Sequence, residues 1–251
     1  MGRHLPGGLF RSGDGGESGQ LNETLCNRPG RAEWFGGGCD APGIDSICPH
    51  PERPEEPLVG ISCGGAWLTR DNGANWALQA LGMHAAYMPP DQAGNPNTQD
   101  PHSIQRCAAQ PDARWCQHPN GIWRSTDNAA SWQEGTCVPV SNFGFAVAVH
   151  RDQPDTAWFV PGVSNSGVPV DGALVVNRTR DGGRSFETLR TGLPREHGYD
   201  LVYRHGLVVD PSGHCLRMGS TTGGLWASDD GGDRWSVVAA HLPPIYAVRF
   251  G

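Results

Sequence analysis

Short apolar segments recur along the chain, and a polar turn that contains aspartate follows each of them. The segments read GGLFRS, GGAWLT, NGIWRS, ALVVNRT and GGLWAS. Upstream of the last four lie two apolar runs separated by a polar turn with proline, as in FAVAVHRDQPDTAWFV. Apolar runs bounded by Gly, Pro, Asn and Asp are typical of β-strands. Each full unit therefore predicts three strands, an acidic turn and a fourth strand.

The acidic turn occurs in five copies with the pattern Ser/Thr-x-Asp-x-Gly-x-x-aromatic. The copies are SGDGGESG from Ser12, TRDNGANW from Thr69, STDNAASW from Ser125, TRDGGRSF from Thr179 and SDDGGDRW from Ser228. Two copies depart from the pattern, because Gly19 replaces the aromatic residue and Ala129 replaces the glycine. Both departures are expected to weaken their own units, the first through the loss of a core side chain.

Each position of the acidic turn has a structural explanation. The residue after the aspartate is Gly or Asn, which tolerate the positive φ of tight turns. The carboxylate can accept hydrogen bonds from backbone amides of its own turn. The aromatic residue is expected to pack between neighbouring units. The turn aspartates are therefore predicted to be structural, and they are Asp14, Asp71, Asp127, Asp181 and Asp230.

Four antiparallel strands in a unit of about 50 residues predict an all-β fold, a β-propeller of four-stranded blades. A long solenoid is the alternative. The expected division of this single domain is a partial blade at 1–25, blades at about 42–82, 101–137, 143–192 and 201–240, and a terminal inner strand at 244–251. Because the ends do not match blade boundaries, we expect an N-terminally truncated copy of a six- or seven-bladed ring. A closed ring of five blades is the other interpretation.

Composition narrows the classes of function. The net charge is −7, which argues against a nucleic-acid groove. The chain contains no lysine, which excludes Schiff-base catalysis and a P-loop lysine. No apolar run is long enough to span a bilayer, and MGRHLPGGLF lacks the apolar core of a signal peptide. We therefore expect a cytoplasmic protein without a nucleic-acid or membrane partner.

The eight cysteines show no zinc-ligand spacing, so neither a metal nor a cofactor is predicted. Two pairs flank predicted turns, Cys48 with Cys63 and Cys107 with Cys116. Buried free thiols are the favoured interpretation for a cytoplasmic chain.

The acidic turns resemble the Asp-box, or BNR repeat, of sialidases, sortilin-type domains, xyloglucan-degrading glycosidases and photosystem assembly factors. Further segments resemble a bacterial group of BNR-repeat proteins identified as glycosyl hydrolase or exo-α-sialidase-like. These segments are NRPGRAEWFGGG, LVGISCGG, YMPP, FGFAVAVH, VPVDGALVV, YDLVYRHGL and HLPPIYAVRF. The resemblance implies a propeller that acts on glycans or binds a partner.

In a propeller, the loops that lead into the innermost strands meet at one end of the central channel, opposite the acidic turns. The unusual residues of this chain lie in those loops. The candidate catalytic residues are Asp100, Asp200, Asp45 and Glu33. The candidate ligand-binding residues are Trp34, Asp40, Tyr87, His102, Arg106, Asn142, Tyr199, Tyr203, Arg204 and His205. Aromatic faces suit sugar rings, whereas carboxylates and arginine suit hydroxyl groups.

Each candidate group also has a structural interpretation. The segment 199–205 alternates as a strand start would, so its side chains are expected to enter the channel, yet Asp200 and Arg204 could simply pair with neighbours. Asp100 and His102 could exchange a proton, although Asp before Pro commonly starts a turn. Glu33, Trp34 and Asp40 flank three glycines, which fits a ligand loop or a flexible connector.

Two hypotheses of function follow. The first is a glycan-directed hydrolase with two carboxyl groups as acid and base. The second is a non-catalytic propeller that binds an oligosaccharide, peptide or protein. The Phe-Arg-Ile-Pro segment of sialidases is absent, and no motif matches the catalytic aspartates of xyloglucan-degrading enzymes. The fold alone does not license an activity.

Overall fold

The computed structural model describes residues 2–4, 7–164 and 166–251, and the side chains from residue 7 onward. Among these residues the strands form five antiparallel sheets in which neighbouring strands follow chain order. The first sheet holds β1 (Gly2–His4), β2 (Gly8–Arg11) and β3 (Gln20–Leu21). Three short 3-10 helices, at Pro29–Glu33, Pro96–Thr98 and Val170–Gly172, and the helix α1 (Glu23–Cys26) lie in the loops.

The other four sheets each have four strands. The second comprises β4 (Ile44–Cys48), β5 (Leu58–Ile61), β6 (Gly65–Leu68) and β7 (Ala77–Leu78). The third comprises β8 (Ser103–Arg106), β9 (Arg114–His118), β10 (Gly121–Ser125) and β11 (Gln133–Glu134). The fourth comprises β12 (Gly144–Val149), β13 (Ala157–Pro161), β14 (Val176–Thr179) and β15 (Glu187–Leu189). The fifth comprises β16 (Leu207–Val209), β17 (Leu216–Gly219), β18 (Leu225–Ser228) and β19 (Ser236–Ala239).

The sheets are the blades of an all-β propeller. The first strands of consecutive blades contact one another, β4 with β8, β8 with β12 and β12 with β16, so they line the centre. Successive side chains of a strand point to opposite faces of its sheet. A blade that lies between two others therefore packs one face on each neighbour. Leu58 packs towards the third blade and the adjacent Val59 towards the first. The core is therefore a series of apolar layers between blades.

The acidic turns share one hydrogen-bond pattern. In the second blade, Thr69 Oγ1 donates to Asp71 Oδ1 at 2.8 Å and accepts the Gly73 amide at 2.8 Å. The carboxylate also accepts the Asn75 amide at 2.8 Å. The residue after each aspartate has positive φ, as the turn pattern predicts, and these residues are Gly15, Asn72, Asn128, Gly182 and Gly231.

The aromatic residue that ends a turn joins its blade to the preceding one. Trp76 Nε1 donates to Asn22 Oδ1 at 2.9 Å, and Trp132 Nε1 donates to the Gln79 carbonyl at 2.8 Å. Both indoles are buried. The acidic turns of the second and third blades are thus each fixed to the preceding blade by a buried ring.

Residues 244–251 do not form the terminal inner strand expected from the sequence. The structure gives them a single parallel bridge, from Ala247 to His205, and the Val248 amide donates to the His205 carbonyl at 2.8 Å. The segment lies against the fifth blade, where Ile245 packs over Gly219. Most of its residues are exposed, so few contacts hold it as a strand.

All eight cysteines lie among the described residues, and each is a free thiol. Within the described ranges, no helix is both long and apolar enough to cross a membrane.

Candidate functional site

A cavity of about 800 Å³ lies at one end of the channel, where the loops before β4, β8, β12 and β16 converge. We call it the central cavity. Its polar lining residues include Asp45, Ser62, Asp100, His102, Arg204 and His205. Its aromatic lining residues are Phe35, Tyr87, Phe143, Phe145, Tyr203 and Tyr246. The cavity is large enough for a small-molecule or saccharide ligand.

A β-bulge places Asp45 in the central cavity. The pairing of β4 with β5 shifts between Ile44 and Ser46, which leaves Asp45 as the extra residue. Bulges re-aim single side chains in this way. Asp45 forms an ion pair of 2.7 Å with Arg204 Nη2, which reaches from the fifth blade to the second. Burial raises the pKa of Asp45 above 3.8, and the Arg204 charge opposes this effect.

Asp100 lies in the same cavity in a different environment. Its Oδ1 accepts the Cys63 amide at 3.2 Å, and its Oδ2 is 3.3 Å from His102 Nε2. Burial raises the pKa of Asp100, but the hydrogen bond and charge of His102, with the Cys63 amide, outweigh burial and lower it below 3.8. The two carboxyl groups of the cavity therefore have pKa values displaced in opposite directions.

His118 supports Asp100 from behind. Its Nε2 accepts the Asp100 amide at 3.2 Å, and the imidazole is fully buried. Burial lowers the pKa of His118 to about 3, so the ring is neutral near pH 7. This contact fixes the backbone that carries the carboxylate.

Aromatic rings form the walls of the cavity. A second bulge, between Gly144 and Val147, places Phe145 there. The Phe145 ring stacks on His102 with centroids 4.4 Å apart and contacts Tyr203 at 5.2 Å. In the loops before β8 and β4, Tyr87 meets Phe35 edge-on at 6.4 Å. The polar groups therefore share the cavity with two clusters of aromatic rings.

The glycines 36–38 form a close-fitting loop beside Asp100. The Gly37 amide donates to Ser62 Oγ at 3.0 Å. A Cβ at Gly37 would come within 2.5 Å of Asp100 Oδ2. Glycine at this position therefore lets the backbone approach the carboxylate.

The structure brings together seven of the residues that the sequence indicates as a site. They are Asp45, Tyr87, Asp100, His102, Tyr203, Arg204 and His205. The expectation that 199–205 begins a strand is wrong, because β16 begins at Leu207 and the preceding residues form a loop. A loop can present consecutive side chains, so residues 203–205 all line the cavity.

The other seven candidates do not line the central cavity. Glu33 accepts from Asn97 Nδ2 at 2.8 Å, and Trp34 is buried against Trp67. Asp200 accepts from Ser220 Oγ at 2.8 Å. The remaining four are Asp40 and Tyr199, which are exposed, Arg106, which donates to the Cys48 thiol between blades, and Asn142, which donates to the Asn120 carbonyl.

Sequence reasoning missed other lining residues. Phe145 follows Phe143 at the start of β12, and only the bulge brings it into the cavity. Ser62 lies in the turn between β5 and β6, at the same end of the blade as the loops before the inner strands. Turns alternate between the two ends of a blade, so the turns between second and third strands lie at the same end as the loops before the inner strands. That alternation could have indicated Ser62 as a lining residue.

Metal binding has no support from the geometry. Within the described ranges, no group of three or more His, Cys, Asp or Glu residues could hold a metal ion. The cavity therefore offers acid–base groups, an arginine and aromatic faces.

No protein-family model and no curated protein matches the sequence. Solved structures match it at low identity. An ancestral GH74 enzyme shares 15% identity at a TM-score of 0.59, over 78% of this chain and 24% of that one. The GH74 xyloglucanase from Xanthomonas campestris shares 16% identity at a TM-score of 0.55, and the match covers 77% of this chain and 29% of the xyloglucanase. YCF48 from Cyanidioschyzon merolae shares 16% identity at a TM-score of 0.52, and the match covers 78% of this chain and 56% of YCF48.

The chain thus spans less than a third of the length of both GH74 proteins and 56% of YCF48. At these identities, the likeness establishes the β-propeller fold alone.

Proposed function

We propose that the chain binds an oligosaccharide in the central cavity and hydrolyses a glycosidic bond there, with Asp45 as the acid and Asp100 as the base. The observation that carries the proposal is that Asp45 and Asp100 line one cavity in different polar environments, the first beside Arg204 and the second beside His102 and the Cys63 amide. The opposite directions of their pKa displacements agree with separate roles. Paired carboxyl groups in different protonation states are what glycosidic hydrolysis requires.

The pH dependence follows from these directions. Asp100 must be ionised, and its lowered pKa meets this requirement from acidic pH upward. Asp45 must be protonated, and its raised pKa extends the protonated range upward. Turnover should therefore rise as pH passes the pKa of Asp100 and fall as pH passes that of Asp45.

The aromatic walls support a saccharide ligand. Sugar rings present apolar C–H faces that pack on aromatic side chains, and their hydroxyl groups bond to carboxylates and arginine. Phe145 with Tyr203, and Tyr87 with Phe35, line the same cavity as Asp45 and offer aromatic faces for such packing. The five acidic turns, with their common hydrogen bonds, also support the proposal that the chain is an Asp-box repeat protein.

A panel of aryl glycosides and oligosaccharides, including a sialoside, tests the proposal. We expect turnover of at least one glycoside, and Asp45→Asn and Asp100→Asn should each lower kcat about 10²- to 10⁴-fold. Asp152→Asn, an exposed carboxylate in the turn between β12 and β13 and outside the cavity lining, is the matched control and should leave kcat unchanged. Turnover that survives in both cavity variants would contradict the assignment.

A non-catalytic propeller that binds a glycan, peptide or protein is the second candidate. One observation favours it: Asp45 is already paired with Arg204, and Asp100 with His102 and the Cys63 amide. Carboxylates that hold a channel together need not react. Binding of an oligosaccharide or peptide without any turnover, weakened by Tyr203→Ala, would decide for this candidate.

A further inference from the structure

The two ring nitrogens of His102 face a backbone carbonyl, that of Gly144, and the carboxylate of Asp100. His102 Nδ1 is 2.7 Å from the Gly144 carbonyl oxygen. A carbonyl only accepts, so Nδ1 carries a proton. The ring and Asp100 are both 3% exposed, which limits replacement of these contacts by water.

The second ring nitrogen requires another proton. His102 Nε2 lies 3.3 Å from Asp100 Oδ2. If neither atom were protonated, a nitrogen lone pair would face a carboxylate lone pair in a buried site, which is unfavourable. The Cys63 amide bonds to the other oxygen of Asp100 and favours its ionised form. The shared proton therefore belongs on Nε2.

The surroundings of the ring suit a positive charge. The Phe145 ring stacks on it at 4.4 Å, and the face of an aromatic ring attracts cations. The charged or titratable groups near the pair include His118, Asp45 and Arg204. Burial raises the pKa of the Cys63 and Cys116 thiols and of the Tyr87 hydroxyl, so these three neighbours of Asp100 are neutral near pH 7. Neutral His118 bonds to the Asp100 backbone, whereas Arg204 packs on Phe145 at 5.2 Å and is paired with Asp45.

We infer that His102 is a positioning residue that carries a proton on Nε2 and thereby keeps Asp100 a carboxylate in the central cavity. The role in turnover rests on the proposed function, whereas the protonation does not. Without His102, only the smaller effects of His118 and the Cys63 amide would oppose burial, which favours the neutral form of Asp100. Asp100 would then be lost as a base except at higher pH.

The direct test is ¹⁵N NMR of the histidine rings in the full chain, with His102 assigned through His102→Gln. We expect both ring nitrogens of His102 to be protonated at pH 7. An unprotonated Nε2 would overturn the inference, whatever the protein binds.

The second test follows the Asp100 carboxyl carbon by ¹³C NMR against pH. In His102→Ala its midpoint should rise by one pH unit or more. In His102→Gln, whose side chain can donate an amide N–H but does not titrate, the Asp100 midpoint should lie between those of the unmodified protein and of His102→Ala. His241→Ala, an exposed histidine, is the control and should leave Asp100 unchanged. If His102→Ala does not fold, the Gln variant alone must still show a raised midpoint.

These outcomes separate the inference from the proposed function. If no glycoside is turned over but His102 is doubly protonated and Asp100 shifts, the inference stands and the hydrolase proposal fails. If glycosides are turned over, the acidic limb of the rate profile should move to higher pH in His102→Ala. An unmoved limb together with an unmoved Asp100 midpoint contradicts the role of His102.

Discussion

At the residue scale, the acidic turns depend on positions with positive φ two residues after each aspartate. Gly73 has φ of 89°, and its counterpart Ala129 has φ of 70°. An L-residue in this region costs about 1–2 kcal/mol. Ala129 shows that the turn accepts a methyl group, so the tolerance of each copy depends on its neighbours.

Gly73→Ala should destabilise the protein more than the φ penalty alone. A Cβ there would lie 2.3 Å from Asn22 Nδ2, and Asn22 caps α1 and accepts from Trp76. We expect a loss of about 2–3 kcal/mol in the free energy of unfolding, measured by urea denaturation. Gly13→Ala, where a Cβ meets nothing within 4 Å, should cost less than 1 kcal/mol. Equal losses in the two variants would contradict this explanation.

Acid should weaken the turns through their aspartates. Hydrogen bonds from Ser185, chiefly, lower the pKa of Asp181 from 3.8 to about 2. Because the folded-state pKa lies below the unfolded one, this stabilisation is present above pH 4 and is lost as pH falls towards 2. Asp181→Asn should therefore lower the urea midpoint at pH 7, with a smaller difference at pH 2.5.

The exposed Asp91 provides the control for that measurement. Asp91→Asn should leave the midpoint unchanged at both pH values. A difference for Asp181→Asn that grows on acidification would contradict the role given to its carboxylate.

At the element scale, the sheets are held by layers between blades, and one layer contains an unusual charge. Arg114 is fully buried between the second and third blades. Apart from the Cys48 thiol, no polar group of the described chain bonds to its guanidinium. Burial lowers the pKa of Arg114 to about 10. Such a charge is costly, because little offsets the loss of its hydration.

Arg114→Met should therefore leave stability unchanged or raise it by about 1 kcal/mol, measured as the free energy of unfolding. The contrasting variant is Arg178→Met. Arg178 is also buried, but it bonds to the Gly231 carbonyl at 2.7 Å and pairs with Glu187 at 2.5 Å. Its loss should cost about 1–3 kcal/mol. A larger loss for Arg114→Met than for Arg178→Met would contradict this account.

The strands and blades could be predicted because short-range patterns encode them. Apolar runs, proline turns and acidic turns such as TRDNGANW mark each strand and its end. The bulges at Asp45 and Phe145 could not be predicted, because an extra residue in a ladder depends on the partner strand. The alternation at 199–205 predicts a strand where the structure has a loop, because a two-residue pattern does not by itself supply a partner strand.

At the scale of the whole molecule, the ring geometry brings distant segments into one site. The sequence indicates which loops meet at the channel end, but it gives no distances across the channel. The pairing of Asp45 with Arg204 joins the second and fifth blades and was not foreseen. The Asp100–His102 pair was proposed from the motif QDPHS alone, because its two residues are neighbours in the chain.

Removal of the Arg204 charge, which lies across the channel from Asp45, should shift the pKa of Asp45 in a defined direction. Arg204 lowers the pKa of Asp45 against the larger effect of burial. Arg204→Met should therefore raise the Asp45 midpoint further, as followed by ¹³C NMR of its carboxyl carbon. Arg180→Met, an exposed arginine on the fourth blade, should leave Asp45 unchanged. An Asp45 midpoint that falls in Arg204→Met would contradict the ion pair.

The most direct measurement is the ¹³C NMR titration of Asp45 and Asp100 in the unmodified protein. The central claim is that one cavity holds a protonated carboxyl group beside an ionised one over a common pH range. We expect Asp45 to titrate above 3.8 and Asp100 below it. Two coincident midpoints, or the reverse order, would contradict the acid and base roles on which the proposed function depends.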